Sequence, residues 1–270
     1  MKKALILCCL LWGGHTRAQH QLTKIWESDS TLATPESVLA DKDVLYVSLI
    51  DGNPWDTDGK GGIAKVGKNG KIMNASWVSG LHAPKGMGIS NGKMYVADVS
   101  DVVVVDVASG KVQKKIPIEG ATGLNDVTID GKGAVYVSDS KMGNVHQITG
   151  DKPTLFLSNL KGVNGLKAVG SDLYVLTAKE IYKVGADKKQ EVLGSLEFGG
   201  DGIEPVGQGD FIVTSWVGVV YYLGRDGKTQ TLLDTRSQKK NTADIGYDPA
   251  QRIIYVPTFM ARSVAAYRLD

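Results

Sequence analysis

The chain alternates short apolar runs with glycine-rich punctuation, and after residue 18 no stretch sustains a 3.6-residue apolar period, so the pattern predicts strands and tight turns rather than amphipathic helices. A strand ending in Tyr-Val or a close relative recurs six times: Leu45-Tyr46-Val47, Met94-Tyr95-Val96, Val135-Tyr136-Val137, Leu173-Tyr174-Val175, Phe211-Ile212-Val213 and Ile254-Tyr255-Val256. The central residues of these triplets lie 49, 41, 38, 38 and 43 positions apart, which is within reach of one four-stranded propeller blade per repeat. The predicted architecture is an all-β, six-bladed β-propeller forming a single domain over residues 19–270.

The third unit shows the rhythm. Asp126 to Asp130 alternates as a strand, Gly131-Lys132-Gly133 turns, Ala134 to Ser138 forms a second strand and Asn144 to Ile148 begins a third. The last unit supplies only three strands, Ala243 to Tyr247, Arg252 to Pro257 and Ser263 to Leu269. Leu22 to Glu27 is strand-like and has no local partner, so it is expected to complete the sixth blade and remove an exposed edge.

The first 18 residues stand apart from this pattern. Lys2 and Lys3 precede an apolar run from Ala4 to Trp12, and Thr16-Arg17-Ala18 offers a small residue for cleavage, the layout of a bacterial-type secretory signal peptide too short to span a membrane. The expected location is therefore periplasmic or secreted. Both cysteines, Cys8 and Cys9, fall in this segment, which leaves the mature chain without disulfides, thiol nucleophiles or cysteine-held zinc. Setting aside Lys2, Lys3 and Arg17 takes the 31 basic residues to 28 against 29 acidic ones; this near-neutral balance, without a charge block, excludes a dedicated nucleic-acid binder.

In a propeller, the innermost strand of each blade starts beside the central channel, so aligning those starts reads out the mouth of the ring. The alignment gives Pro35-Glu36-Ser37, Pro84-Lys85-Gly86, Leu124-Asn125-Asp126, Val163-Asn164-Gly165, Gly200-Asp201-Gly202 and Thr242-Ala243-Asp244. Five of the six carry a polar residue at the equivalent position and the sixth has one beside it. Two carboxylates and two amide carbonyls converging on an axis are hard oxygen donors suited to a divalent cation, which would also offset their mutual repulsion.

At these residues the sequence resembles the senescence-marker-protein/gluconolactonase family of regucalcin-like six-bladed propellers, with a Glu opening the first blade, Asn125-Asp126 in the third, Asn164-Gly165 in the fourth and Asp201-Gly202 in the fifth. The resemblance implies that Glu36, Asn164 and Asp201 hold a divalent metal (Ca, Mg, Mn or Zn, with Ca favoured), and that Asn125 faces the metal-bound water or substrate. It also implies hydrolysis of a small-molecule lactone or related ester, with Asp201 as the catalytic acid/base. Sugar-binding members carry an arginine two residues before the third-blade asparagine; Gly123 stands there, so Lys85 and Asp244 at the mouth are candidates for a different substrate contact.

The first unit is longer than the others, and its excess, Asp51 to Gly59, leaves from the mouth face as an expected lid whose Trp55 covers a bound ligand. Trp26, Trp77 and Trp216 are expected to pack between blades, and His20, His82 and His146 are too far apart to pair as ligands. No Gly-x-Ser-x-Gly elbow, phosphate loop or His-Glu-x-x-His helix is present. A reading from another class stands beside the hydrolase: a non-catalytic, NHL-like propeller that binds a ligand or protein at its mouth.

Overall fold

A computed structural model of the chain describes residues 20–270. The expected signal segment and its two cysteines lie outside the described residues. Strand β1 (Leu22–Glu27) is followed by six units. The first comprises β2 (Pro35–Asp41), β3 (Val44–Leu49), β4 (Gly61–Gly67) and β5 (Ile72–Leu81), and the second β6 (Pro84–Ser90), β7 (Lys93–Asp98), β8 (Asp101–Asp106) and β9 (Val112–Pro117). The third comprises β10 (Leu124–Ile129), β11 (Val135–Asp139), β12 (Asn144–Thr149) and β13 (Lys152–Leu157), and the fourth β14 (Leu166–Val169), β15 (Asp172–Leu176), β16 (Glu180–Val184) and β17 (Gln190–Ser195). The fifth comprises β18 (Ile203–Gly207), β19 (Asp210–Ser215), β20 (Val219–Leu223) and β21 (Thr229–Asp234), and the last β22 (Gly246–Asp248), β23 (Ile253–Pro257) and β24 (Val264–Leu269). Each of the first five units is a four-stranded antiparallel sheet in chain order, and β1 adds to the outside of the last in the order β1-β24-β23-β22. The protein is a six-bladed β-propeller, and its sixth blade is closed by the strand that the sequence left unpaired. Among the described residues no helix is long and apolar enough to cross a membrane.

The core lies between neighbouring blades rather than at one centre. Leu45, Val47 and Val66 of the first blade bury against Tyr255, Val264 and Ala266 of the sixth, and Val102 and Val104 of the second against Val127, Val135 and Val137 of the third. This is why both faces of the β3- and β8-type strands are apolar and why strict alternation is weak in them. Trp26 and Trp77 pack between blades as expected: Trp26 donates from Nε1 to the Lys68 carbonyl at 2.8 Å, and Trp77 meets Tyr46 in a tilted ring contact with its own ring against Gly110 of the next blade. Trp216 differs. It lies in the turn between β19 and β20, 44 % exposed, with only an edge against Phe259 of the sixth blade, because a turn residue on the mouth face has no neighbouring sheet above it.

Closure is fastened by Glu27 at the end of β1. Its carboxylate accepts from Lys240 Nζ at 2.8 and 2.9 Å, from Ser263 Oγ at 2.7 Å and from Lys24 Nζ at 2.6 Å. Burial alone would raise its pKa, but these donors outweigh it and bring the group from 4.5 to about 2. A carboxyl with a depressed folded pKa stabilises the fold above its unfolded value and loses that contribution as pH falls. Acid unfolding of the wild type is therefore expected to steepen below about pH 4.5, and Glu27→Gln, costing roughly 1–2 kcal/mol at neutral pH, should remove that part of the acid dependence in denaturant titrations run from pH 7 down to pH 3.

Candidate metal centre and mouth

The inner strands do not begin cleanly. In the first three blades the pairing of the inner strand with its neighbour slips between Pro35 and Val38, Pro84 and Met87, and Leu124 and Val127. These irregularities sit at Glu36, Lys85 and Asn125, and a bulge there turns the side chain toward the channel instead of into a blade interface. The backbone amides freed by the irregular starts are caught by hydroxyls of the second strand: Ser37 N donates to Ser48 Oγ, Asp126 N to Ser138 Oγ and Gly202 N to Thr214 Oγ1, each at 2.9 Å.

The next residue along each inner strand forms a second tier of three glycines and three polar residues: Ser37, Gly86, Asp126, Gly165, Gly202 and Asp244. The glycines are required by proximity. A Cβ on Gly86 would stand 2.4 Å from Asp126 Oδ1, one on Gly202 2.7 Å from Asp244 Oδ1, and one on Gly165 2.1 Å from the Asp201 carbonyl oxygen. The Asp126 and Asp244 side chains thus lie across the glycines of adjacent blades. Asp126 accepts from the amides of Leu166 and Val127, both at 2.6 Å, and Asp244 accepts a very short hydrogen bond from Ser37 Oγ.

Asp244, expected at the mouth as a substrate contact, is therefore in this second tier, and Ala243 occupies the position equivalent to the other five. The reason is the start of the sixth blade: Ser37 and Asp244 bridge in parallel, Asp244 N donates to the Glu36 carbonyl at 3.0 Å, and β22 begins only at Gly246. Below, a small cavity of about 30 Å³, room enough for water, is lined by Ser37, Asp126, Lys167, Glu204 and Asp244.

The first tier is buried: Glu36, Lys85, Asn125 and Asp201 are 5, 2, 7 and 2 % exposed. Asn164 Nδ2 donates to Asp201 Oδ1 at 2.8 Å, joining the fourth and fifth blades. Two oxygens are left over, since Glu36 Oε2 and Asn164 Oδ1 are buried and accept no hydrogen bond. Unsatisfied buried acceptors are costly and call for a donor or a cation. Burial first, then the charge of Asp201, pushes the Glu36 carboxyl well above its usual range, with Lys85 offsetting part of this. Burial and Asp244 push Asp201 up to about 8, and burial pushes Asp244 up to about 7. Without a counter-cation the channel therefore holds protons on its carboxyls. Among the described residues no three His, Cys, Asp or Glu side chains gather as a metal site, so a cation here would draw on two carboxylates and an amide oxygen. Glu36, Asn164 and Asp201 have the hard-oxygen chemistry and the two open acceptors that such a cation requires.

The long first-blade loop folds over the mouth. Lys85 Nζ donates to the Pro54 carbonyl at 2.6 Å and to the Ala83 carbonyl at 2.9 Å, and lies 4.2 Å from the centre of the Trp55 ring. Burial lowers the Lys85 pKa to about 8. The Trp55 ring also meets Lys141 Nζ of the third blade at 4.7 Å, so the loop reaches from the first blade across the second to the third. Lys141 was not visible as a site residue in the sequence. Its stem lies over Gly123, where a Cβ would be 2.6 Å from Lys141 Cγ, so the glycine is the floor on which this lysine rests. Asn125 Nδ2 donates to Ser140 Oγ at 3.0 Å, beside it.

Fold and mouth together define a six-bladed propeller with a polar, oxygen-rich axial site. No family model matches the chain, and no curated protein is similar to it at the sequence level. Solved structures are similar in fold. A protein assigned as a gluconolactonase superposes with a TM-score of 0.71 at 14 % identity, over 94 % of this chain and 93 % of that one. A catalytically inactive virginiamycin B lyase from Staphylococcus aureus, solved with quinupristin, gives 0.67 at 14 % identity, over 93 % of this chain and all of the other. A chain of the nidogen/laminin complex gives 0.64 at 13 % identity, over 85 % and 87 %. The same architecture thus underlies enzymes and a chain of a protein–protein complex.

Proposed function

We propose that this protein is an exported, metal-dependent hydrolase of a lactone or related ester, working in the periplasm or outside the cell. The observation that carries the reading is the pair of buried, unpartnered acceptors, Glu36 Oε2 and Asn164 Oδ1, beside Asp201. The structural likeness to a protein assigned as a gluconolactonase supports it, as does the signal-like segment at residues 1–18.

A divalent cation held by Glu36, Asn164 and Asp201, calcium by preference for such oxygen donors, would supply Lewis-acid polarisation of the scissile carbonyl and a more acidic water. The chain's own groups do the rest. Asn164 holds Asp201 by Oδ1 and leaves Oδ2 for proton transfer. The attacking water gives a proton to Asp201 as its oxygen bonds to the acyl carbon; the acyl C–O bond then breaks and the leaving oxygen takes the proton back, so one water is consumed and a hydroxy acid released. Asn125, anchored by Ser140, presents its amide to the water or substrate, while Lys85 and Trp55 close the mouth and limit bulk water.

Calcium titration by calorimetry, with melting curves and a lactone panel, tests the reading. One equivalent should bind, stabilise the fold by roughly 2–3 kcal/mol at a hundredfold excess over Kd, and be lost in Glu36→Gln. Turnover should disappear on chelation. Stoichiometric metal without turnover would make the centre structural and the protein a ligand-binding propeller; no metal at all would remove the proposal.

A further inference from the structure

The third-blade arginine position is filled by glycine in sequence but not in space. Lys141 lies along Gly123, and its ammonium converges with that of Lys85 on the Trp55 ring, at 4.7 and 4.2 Å from the ring centre. The two ammoniums are close enough for Lys141 to depress the Lys85 pKa. Among the described residues neither donates to a carboxylate: Lys85 Nζ donates to two neutral backbone carbonyls, and Lys141 Nζ meets the indole. Elsewhere in the protein, lysines such as Lys68, Lys167 and Lys240 are ion-paired at 2.7–2.8 Å. Glu36 and Asp98 act on Lys85 through their charge without bonding to it, and Lys141 bonds to no carboxylate among the described residues, so the two like charges at the site's entrance mark the place of an anion supplied by the ligand.

We propose that Lys141, seated on Gly123, forms with Lys85 and Trp55 a carboxylate-recognising side of the mouth, so that the ligand is a lactone or ester bearing a free carboxylate. This rests on the hydrolase reading for the scissile group but not for the anion. Once a dication is matched by Glu36 and Asp201, Glu36 no longer balances Lys85, and Lys141 keeps its charge without an ion-paired carboxylate among the described residues. Lys141 is a specificity residue in this scheme: its ammonium is exposed at the rim, whereas Lys85 is buried and tied to the lid. The π face of Trp55 holds both cations in place when no ligand is bound.

The test uses pyroglutamate and pyroglutamamide, ring amides that differ only in a carboxylate and resist ester hydrolysis. Calorimetry on the calcium-loaded protein should show pyroglutamate binding about tenfold more tightly than the amide, the value of one charge-assisted contact. Lys141→Met keeps the stem over Gly123 and should reduce that preference to within about twofold, and Lys141→Arg should restore it. Equal affinities in the wild type, binding of neither probe at millimolar concentration, or a preference that survives Lys141→Met each overturns the proposal. The two readings fail separately: a preference for pyroglutamate in a protein that turns over no lactone keeps the anion site and removes the hydrolase, while turnover of neutral lactones without the preference does the reverse.

Discussion

On the proposed hydrolase reading, in which Asp201 would both hold a proton and ligate a cation, Asp201→Asn is expected to reduce lactone turnover by about a thousandfold or more, while making the metal-free protein more stable. The two effects share one cause. Asp201 is buried at 2 % exposure, and burial together with Asp244 raises its pKa from 3.8 to about 8. A carboxyl whose folded pKa is raised binds a proton in the native state that the unfolded chain has released, so stability falls as pH rises between the two values. Metal-free wild type should therefore lose stability steadily from about pH 4 to pH 8. The asparagine, which cannot ionise and can still accept from Asn164 Nδ2, should flatten that slope and gain on the order of 1 kcal/mol or more at pH 7. Urea titrations at pH 5 and pH 8, with and without calcium, read this directly. A variant that is inactive but no more stable than the wild type at pH 8 would show that Asp201 is not a strained carboxyl.

A large loss of stability from a single methyl group is expected at Gly165→Ala. Its φ is not in the left-handed region, so the backbone itself would accept alanine, but the new Cβ would meet the Asp201 carbonyl oxygen at 2.1 Å and Leu176 Cδ1 at 2.8 Å. Backbone cannot swing aside as a side chain can, so a cost of about 3 kcal/mol or more is expected, lowering Tm by about 6–12 °C for a domain of this size. The displaced neighbour is Asp201 itself, so calcium affinity should fall in the same variant. Gly131→Ala is the matched control: nothing lies within 4 Å of its Cβ, its φ is ordinary, and the change should be neutral or stabilising by a few tenths of a kcal/mol. Equal melting temperatures for the two variants would show that the inner strands can spread.

The ring was legible because it depends on local pattern. The six apolar triplets lie in β3, β7, β11, β15, β19 and β23, and the unpaired Leu22–Glu27 segment became β1 with the same bounds. The mouth was legible where strand starts align, at Glu36, Lys85, Asn125, Asn164 and Asp201. At the sixth blade the alignment correctly put Ala243 at the equivalent position, but the parallel bridge between Ser37 and Asp244 ties Asp244 to the first blade instead of the mouth, a contact between residues 207 positions apart. Lys141 was hidden for a similar reason. Nothing in Asp139-Ser140-Lys141 announces a site until the empty space above Gly123 is known, and that space belongs to another loop. Two of the three glycines of the second tier were visible as the Asn164-Gly165 and Asp201-Gly202 pairs, yet their cause is the distance to the neighbouring blade, which no local rule contains.

The two carboxylates of the candidate centre sit on the first and fifth blades, and the sheet wedged between them is the one finished by β1. In the proposed centre, the latch near the amino end would therefore help set the span across which a cation is gripped. Loosening it, by acid at Glu27 or by trimming the strand, should weaken ion affinity some distance away, and by reciprocity a bound ion should protect the amides of β1 and β24 from hydrogen exchange. A propeller with its seam elsewhere would keep the same mouth but lose this coupling.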